Sequence, residues 1–225
     1  MKITMVSLCM LLFPVLVWAG TLRDDFSDGN FDGWTLISFV EDGGQCTVEK
    51  GKLVITRFSD WSCGCVIGEE DWKDYSIEFD ATLHQKIGTW SLIAMGLHLK
   101  GNAQQWRNAW MSYGFRPEGI GAYIVAYDHP NFLQDVMKPM PFEIGKTCHL
   151  KGVVSGNKYQ LYIDNELALQ IQENRFPSGK VRLDANGAVV SFDNVAITGD
   201  EVPDKYLSVK PRGKLSIVWA RLKTL

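Results

Sequence analysis

Glu78-Phe-Asp80 sets two carboxylates two residues apart within Tyr75-Ser-Ile-Glu-Phe-Asp-Ala-Thr82, a segment that alternates apolar and polar residues. Side chains two apart on a strand share a face. The pair can therefore lie within the roughly 5–9.5 Å that separates the two carboxyl groups of a glycosidase. The same two residues read equally well as the polar side of a half-buried strand. Glu69-Glu-Asp71 offers further acids, but beside a turn and without alternation. No Gly-x-Ser-x-Gly elbow is present to present a nucleophilic serine, and no Gly-rich loop leads into a helix to hold phosphate.

Cys46, Cys63, Cys65 and Cys148 form the second reactive set. Four cysteines allow three pairings. Cys63 and Cys65 point the same way from one strand and bond poorly to each other, so the expected disulfide joins Cys46, one hairpin earlier, to Cys63 or Cys65. Zinc is disfavoured, because Cys-x-Cys has no second ligand pair and His84, His98, His129 and His149 are scattered.

A third set suits recognition rather than reaction. Strand parity gives core sides of Tyr75, Ile77, Phe79 and Ala81, of Ile93, Met95, Leu97 and Leu99, and of Met111, Tyr113 and Phe115. The opposite sides carry Glu78, Asp80 and Thr82, then Ala94, Gly96 and His98, then Asn108, Trp110, Ser112 and Gly114. Small residues in mid-strand, ringed by an aromatic and hydrogen-bonding groups, make room for a pyranose with a plate for its C–H face. His98, Asn108, Trp110, Ser112 and Tyr123 are the candidate sugar contacts, with Tyr127 as an alternative second plate. Trp110 packing under a loop spanning 128–145 is the competing expectation. The faces rest on parity, which one β-bulge inverts.

These residues need strands to hold them, and strands are what the chain supplies. Period-2 alternation recurs from Phe26 to Ile197, broken every 8–12 residues or so by turn formers, with no convincing helix. Glu49-Lys-Gly-Lys52 reads as a hairpin loop, and Asp164-Asn165 as a two-residue turn. Leu92–Leu99, Ala109–Phe115 and Gly121–Tyr127 are the expected central strands. Residues 128–145, with Pro130, Pro139 and Pro141, form the longest expected loop. About a dozen strands in a single antiparallel, all-β jelly-roll sandwich are expected over residues 20–199.

Residues 1–19 have the form of a secretory signal: Lys2, an apolar run from Ile3 to Val17, and Val17-Trp-Ala19 as cleavage site. The run is shorter than the roughly 20 residues of a bilayer span. The expected location is therefore outside the cytoplasm, periplasmic or extracellular, with no membrane span in the mature chain. The 23 basic residues, less Lys2, then stand against 26 acidic ones. That mild acidity disfavours nucleic acid as a partner. Residues 200–225 open with Asp200-Glu-Val-Pro203 and end in a basic extension, an ordered or frayed terminus or a docking tail for an acidic surface.

Asp24-Asp-Phe-Ser-Asp-Gly29 with Gly33-Trp34, Val48-Glu-Lys-Gly-Lys-Leu53, Trp72-Lys-Asp-Tyr-Ser-Ile-Glu-Phe-Asp80, Leu161-Tyr-Ile-Asp-Asn165, Gly179-Lys-Val-Arg-Leu183 and Phe192-Asp-Asn-Val-Ala-Ile197 together resemble the concanavalin A-like lectin/glucanase superfamily. More narrowly they are similar to secreted bacterial laminin G-like and 3-keto-disaccharide hydrolase (family-16-like) modules. The resemblance covers residues 24–199 and implies two curved sheets whose concave face commonly binds glycan. The superfamily's glucanases carry Glu-x-Asp-x-x-Glu; here Leu83 takes the last position, so one catalytic carboxylate is missing. The resemblance also implies a candidate structural calcium where first and last strands meet, at Asp25 and Asp193, although no cofactor is required. A module that binds poly- or oligosaccharide is the leading expectation, and a saccharide hydrolase using Glu78 and Asp80 the alternative.

Overall fold

The computed structural model describes residues 19–38, 44–60, 62–102, 105–128 and 130–208. The expected signal and most of the basic extension lie outside the described residues. The strands in chain order are β1 (Gly20–Asp24), β2 (Thr35–Ser38), β3 (Gln45–Glu49), β4 (Lys52–Thr56), β5 (Ser62–Ile67) and β6 (Tyr75–Lys86). Next come β7 (Ser91–Asn102), β8 (Gln105–Arg116), β9 (Gly119–Asp128), β10 (Asn131–Pro139) and β11 (Thr147–Ser155). The series closes with β12 (Lys158–Ile163), β13 (Glu166–Gln172), β14 (Lys180–Asn186), β15 (Ala188–Gly199) and β16 (Lys205–Tyr206). Among the described residues no helix is long and apolar enough to cross a membrane.

Two sheets form the sandwich. One runs β13-β12-β11-β6-β15-β1-β16, with β4 also on β15 and β3 on β4; the other runs β10-β9-β8-β7-β14-β5-β2. Every pair is antiparallel except the short β1–β16 contact. Ile77, Phe79, Leu150 and Phe192 of the first sheet meet Ile93, Met95, Met111 and Leu183 of the second in one core, all without solvent exposure. Phe79 and Phe192 pack edge to face at 5.4 Å. Burial at this level contributes about 1.5–3 kcal/mol per large side chain.

The turns explain how consecutive strands reverse. Asp164 and Asn165 both take positive φ, 48° and 68°, between paired Ile163 and Glu166, the geometry a two-residue hairpin needs. Lys50 and Gly51 do the same, at 52° and 73°, so that hairpin turns on two residues rather than four. The conspicuous Asp24…Trp34 motif is a clamp. The buried Asp24 carboxylate accepts from the Trp34 indole (2.9 Å) and the Phe26 amide (2.9 Å), and also from the Ser208 hydroxyl. It ties the first turn to the end of the described chain.

One element overturns the sequence expectation. The segment expected as the longest loop contains β10, which pairs with β9 from Asn131 to Pro139. Pro130 precedes the strand, Pro139 is its last residue and Pro141 follows it, and β10 is an edge strand, where a missing N–H is tolerated.

Candidate functional site

The topology first separates residues that parity alone had grouped. Glu78 and Asp80 stand on β6, on the outer face of the larger sheet; Asn108, Trp110 and Ser112 stand on β8, on the outer face of the seven-stranded sheet. The sandwich lies between them, so the carboxylates and the sugar contacts cannot serve one site.

On the larger sheet, register sets each carboxylate against a cationic or polar neighbour. Glu78 opposes Lys151 and Asp80 opposes His149. The Lys151 ammonium donates to Glu78 Oε2 at 2.9 Å. Asp80 Oδ1 lies 2.9 Å from His149 Nδ1, and its Oδ2 accepts from the Asn194 amide at 2.8 Å. A bulge between Asp193 and Ala196, with Asn194 at φ 53°, brings that amide into place. Burial works to raise the Asp80 pKa, but the Asn194 and His149 bonds outweigh it and hold the carboxyl below its ordinary value. A general acid needs the opposite shift. The geometry is that of a paired polar surface.

Asp25 and Asp193 do not converge as a calcium donor set. Asp25 is occupied by the Tyr206 hydroxyl (2.5 Å) and the Ser27 amide (3.0 Å), while the Lys52 ammonium sits 3.4 Å from Asp193. Among the described residues no group of three or more acidic, histidine or cysteine side chains is arranged to hold a metal. Calcium takes six to eight oxygens, and these residues do not fit it.

The expected disulfide is absent: Cys46, Cys63, Cys65 and Cys148 are free thiols. Cys46 belongs to one sheet and Cys63 and Cys65 to the other, so their contact crosses the core rather than a single hairpin. The Cys46 thiol lies within hydrogen-bonding reach of both.

The outer face of the seven-stranded sheet holds the unusual chemistry. Val181, Leu183 and Ala185 of β14 face the core, so Arg182, Asp184 and Asn186 face outward, yet they are 0%, 0% and 8% exposed. Asp184 Oδ2 is shared by the Arg182 guanidinium (2.6 Å) and the Ser62 hydroxyl (2.5 Å), and Arg182 also donates to Ser62 at 2.7 Å. Gly64 leaves room for this arrangement: a Cβ there would lie 2.3 Å from the Leu183 carbonyl oxygen and 2.6 Å from Arg182 Nε. Burial pushes the Asp184 carboxyl up to about 6 against the pull of Arg182, Ser62 and Arg57.

Register continues this row across the sheet. Asp184 opposes Ala94, which opposes Ser112; Arg182 opposes Gly96, which opposes Trp110. Strands lie about 4.8 Å apart, so the β14 and β8 side chains flank β7 at about 10 Å from each other. Asn108 leans over Gly96, where a Cβ would meet its Nδ2 at 2.3 Å. Among the described residues, Asp184 Oδ1, Asn186 Oδ1, Ser112 Oγ, Trp110 Nε1 and Asn108 Nδ2 are buried atoms along the two flanks without a hydrogen-bond partner. Each such group costs about 1–3 kcal/mol when left unsatisfied. A cleft of about 490 Å³ opens at the Thr35, Val66, Leu99 and Lys180 end of the same face.

Of the expected sugar contacts, Asn108, Trp110 and Ser112 are brought together. His98 is not. A bulge between Leu97 and Lys100 inverts the parity of β7, turning Leu99 outward and His98 into the core. There its ring lies 2.7 Å from the Lys73 carbonyl, 2.6 Å from the Phe176 carbonyl and 2.7 Å from the Tyr159 hydroxyl. Tyr123 is on the expected face but is fully covered. The Arg116 guanidinium stacks 4.6 Å above its ring and 4.4 Å from Trp90, held by Asp135 at 2.8 Å. It cannot act as a plate for a sugar. Ser62, Arg182, Asp184 and Asn186 were missed, because Val181-Arg-Leu-Asp-Ala-Asn186 reads as a strand with one solvated side.

No protein-family model matches the chain, and no curated protein is similar to it in sequence. Its fold is similar to that of solved structures. A carbohydrate-binding module, CBM66 from Bacillus subtilis, aligns with TM-score 0.52 at 19% identity over 74% of this chain and 95% of that one. The Emp47p carbohydrate recognition domain aligns with TM-score 0.56 at 14% identity, over 82% and 98%. A Bacillus subtilis protein with a galectin-like fold aligns with TM-score 0.59 at 11% identity, over 79% and 95%. The fold is therefore that of the concanavalin A-like and galectin-like sandwiches.

Proposed function

We propose that this protein is an exported carbohydrate-binding module that takes glycan on the outer, concave face of its seven-stranded sheet. The observation that carries the reading is the row of buried polar atoms on β14 and β8 that no protein group satisfies. Polar groups in native interiors are paired as a rule, and a ligand rich in hydroxyls is a natural partner for such a row. Carbohydrate-binding neighbours of the same fold support it. Trp110, half-buried beside Gly96, supplies the apolar plate. Glu78 and Asp80 take no part, since each is tied to its own partner on the far side of the sandwich. Export follows from the reading of residues 1–19 as a signal.

A glycan array followed by calorimetric titration tests this. Trp110→Ala should weaken binding by about 1 kcal/mol or more through the lost stacking surface, whereas Glu78→Gln should bind as the wild type does and no reducing sugar should be released. Loss of binding in Glu78→Gln with none in Trp110→Ala would place the site on the other sheet.

A further inference from the structure

We infer that this face reads a saccharide chain rather than a single sugar, with Phe132 and Tyr127 forming a second aromatic platform beyond Trp110. The inference rests on the proposed carbohydrate reading and deepens it. Phe132 is 62% exposed, although a phenyl ring favours burial. It stands opposite Tyr127 in register, with ring centroids 5.1 Å apart and planes tilted by 58°. Tyr127 in turn stands opposite Asn108 of β8, two residues from Trp110 and on the same outer side.

Two bulges build the platform. The one between Leu97 and Lys100 turns Leu99 outward, and Tyr127 packs against the small apolar cluster that Leu99 forms with Val66, apart from the main core. That cluster supports the Tyr127 ring from below. The register shift between Phe132 and Gln134 lets Leu133 pack against the core while Phe132 keeps to the outer side. Bulges re-aim side chains in this way beside functional sites. At the same end of the sheet Asn131 and Arg107 are exposed, so the ring is a single apolar plate among polar groups. A sugar offers the matching pattern, C–H bonds on a ring face and hydroxyls around its rim.

Trp110 and Phe132 lie two strands apart and one row apart along the strands, so their backbone positions are about 12 Å from each other. One pyranose cannot cover both plates, whereas a chain crossing the strands can. The test titrates the full chain with disaccharides to hexasaccharides of gluco, manno, galacto and fructo configuration. In a series that binds, the hexasaccharide should bind about tenfold more tightly than the disaccharide. Phe132→Ala should remove that gain and leave disaccharide affinity unchanged, and Phe132→Trp should keep it, with thermal melts confirming that both variants fold. Equal affinity at all lengths, or a gain that survives in Phe132→Ala, would overturn the inference and leave the carbohydrate reading standing. Loss of a dimer in Phe132→Ala at unchanged hexasaccharide affinity, seen by sedimentation, would overturn it too and assign the ring to a second copy of the chain. Binding of no saccharide by the wild type would overturn the carbohydrate reading itself.

Discussion

Asp24 and Asp25 are adjacent in the chain, yet their surroundings drive them in opposite directions. Burial raises the Asp24 pKa despite its bonds from Ser208, Phe26 and Trp34. At Asp25 burial also works upward, but it is outweighed by bonds from Tyr206 and Ser27, and the carboxyl settles at about 2. A carboxylate depressed in the folded state contributes stability above its unfolded pKa, near 3.9, and that stability is lost as pH falls through the folded value. Thermal melts between pH 2 and 5 should show a gain with rising pH that is smaller in Asp25→Asn. Parallel curves for the two proteins would mean that the Tyr206 contact does not hold in solution. At this scale the sequence was only partly legible. Asp24 and Trp34 were conspicuous as a motif, and their joint clamp explains why. Asp184 was not, because alternation tells which way a side chain points and not whether anything shields it there.

Bulges and edges account for what was misread at the level of elements. The core sides of β6, β8 and the first half of β7 follow from alternation, and Asp164-Asn165 fixes the β12–β13 register. The bulge after Leu97 has no local signature beyond the strained His98, at φ 54°, so parity carried past it placed His98 on the wrong side. Its role is structural: the ring joins β7 to the Lys73 and Phe176 backbone, and its amide is held by the Tyr75 hydroxyl at 2.8 Å. His98→Ala should therefore cost about 2–4 kcal/mol in urea unfolding by stranding several buried polar groups. The folded fraction should bind glycan normally. A variant of unchanged stability that loses glycan affinity would return His98 to the ligand face. The edge strand β10 was concealed for a different reason: prolines at its margins resemble those of a loop.

For the molecule as a whole, the layered all-β class was legible because the period-2 pattern is local, whereas the partition of strands between sheets was not. β6 lies beside β11 and β15, and β7 beside β8 and β14. Those neighbours are set by long-range packing. The partition matters to the proposed site, since it puts Glu78 and Asp80 on one side of the sandwich and the Asp184–Ser112–Trp110 row on the other. The most direct measurement follows the Trp110 indole N–H by two-dimensional NMR while a saccharide identified on the array is added. That resonance should shift on binding, together with the amides of Ala94, Gly96, Ser112 and Asp184, and the amides of Glu78, His149 and Lys151 should stay in place. Shifts confined to Glu78, His149 and Lys151, with the Trp110 indole unmoved, would contradict the account.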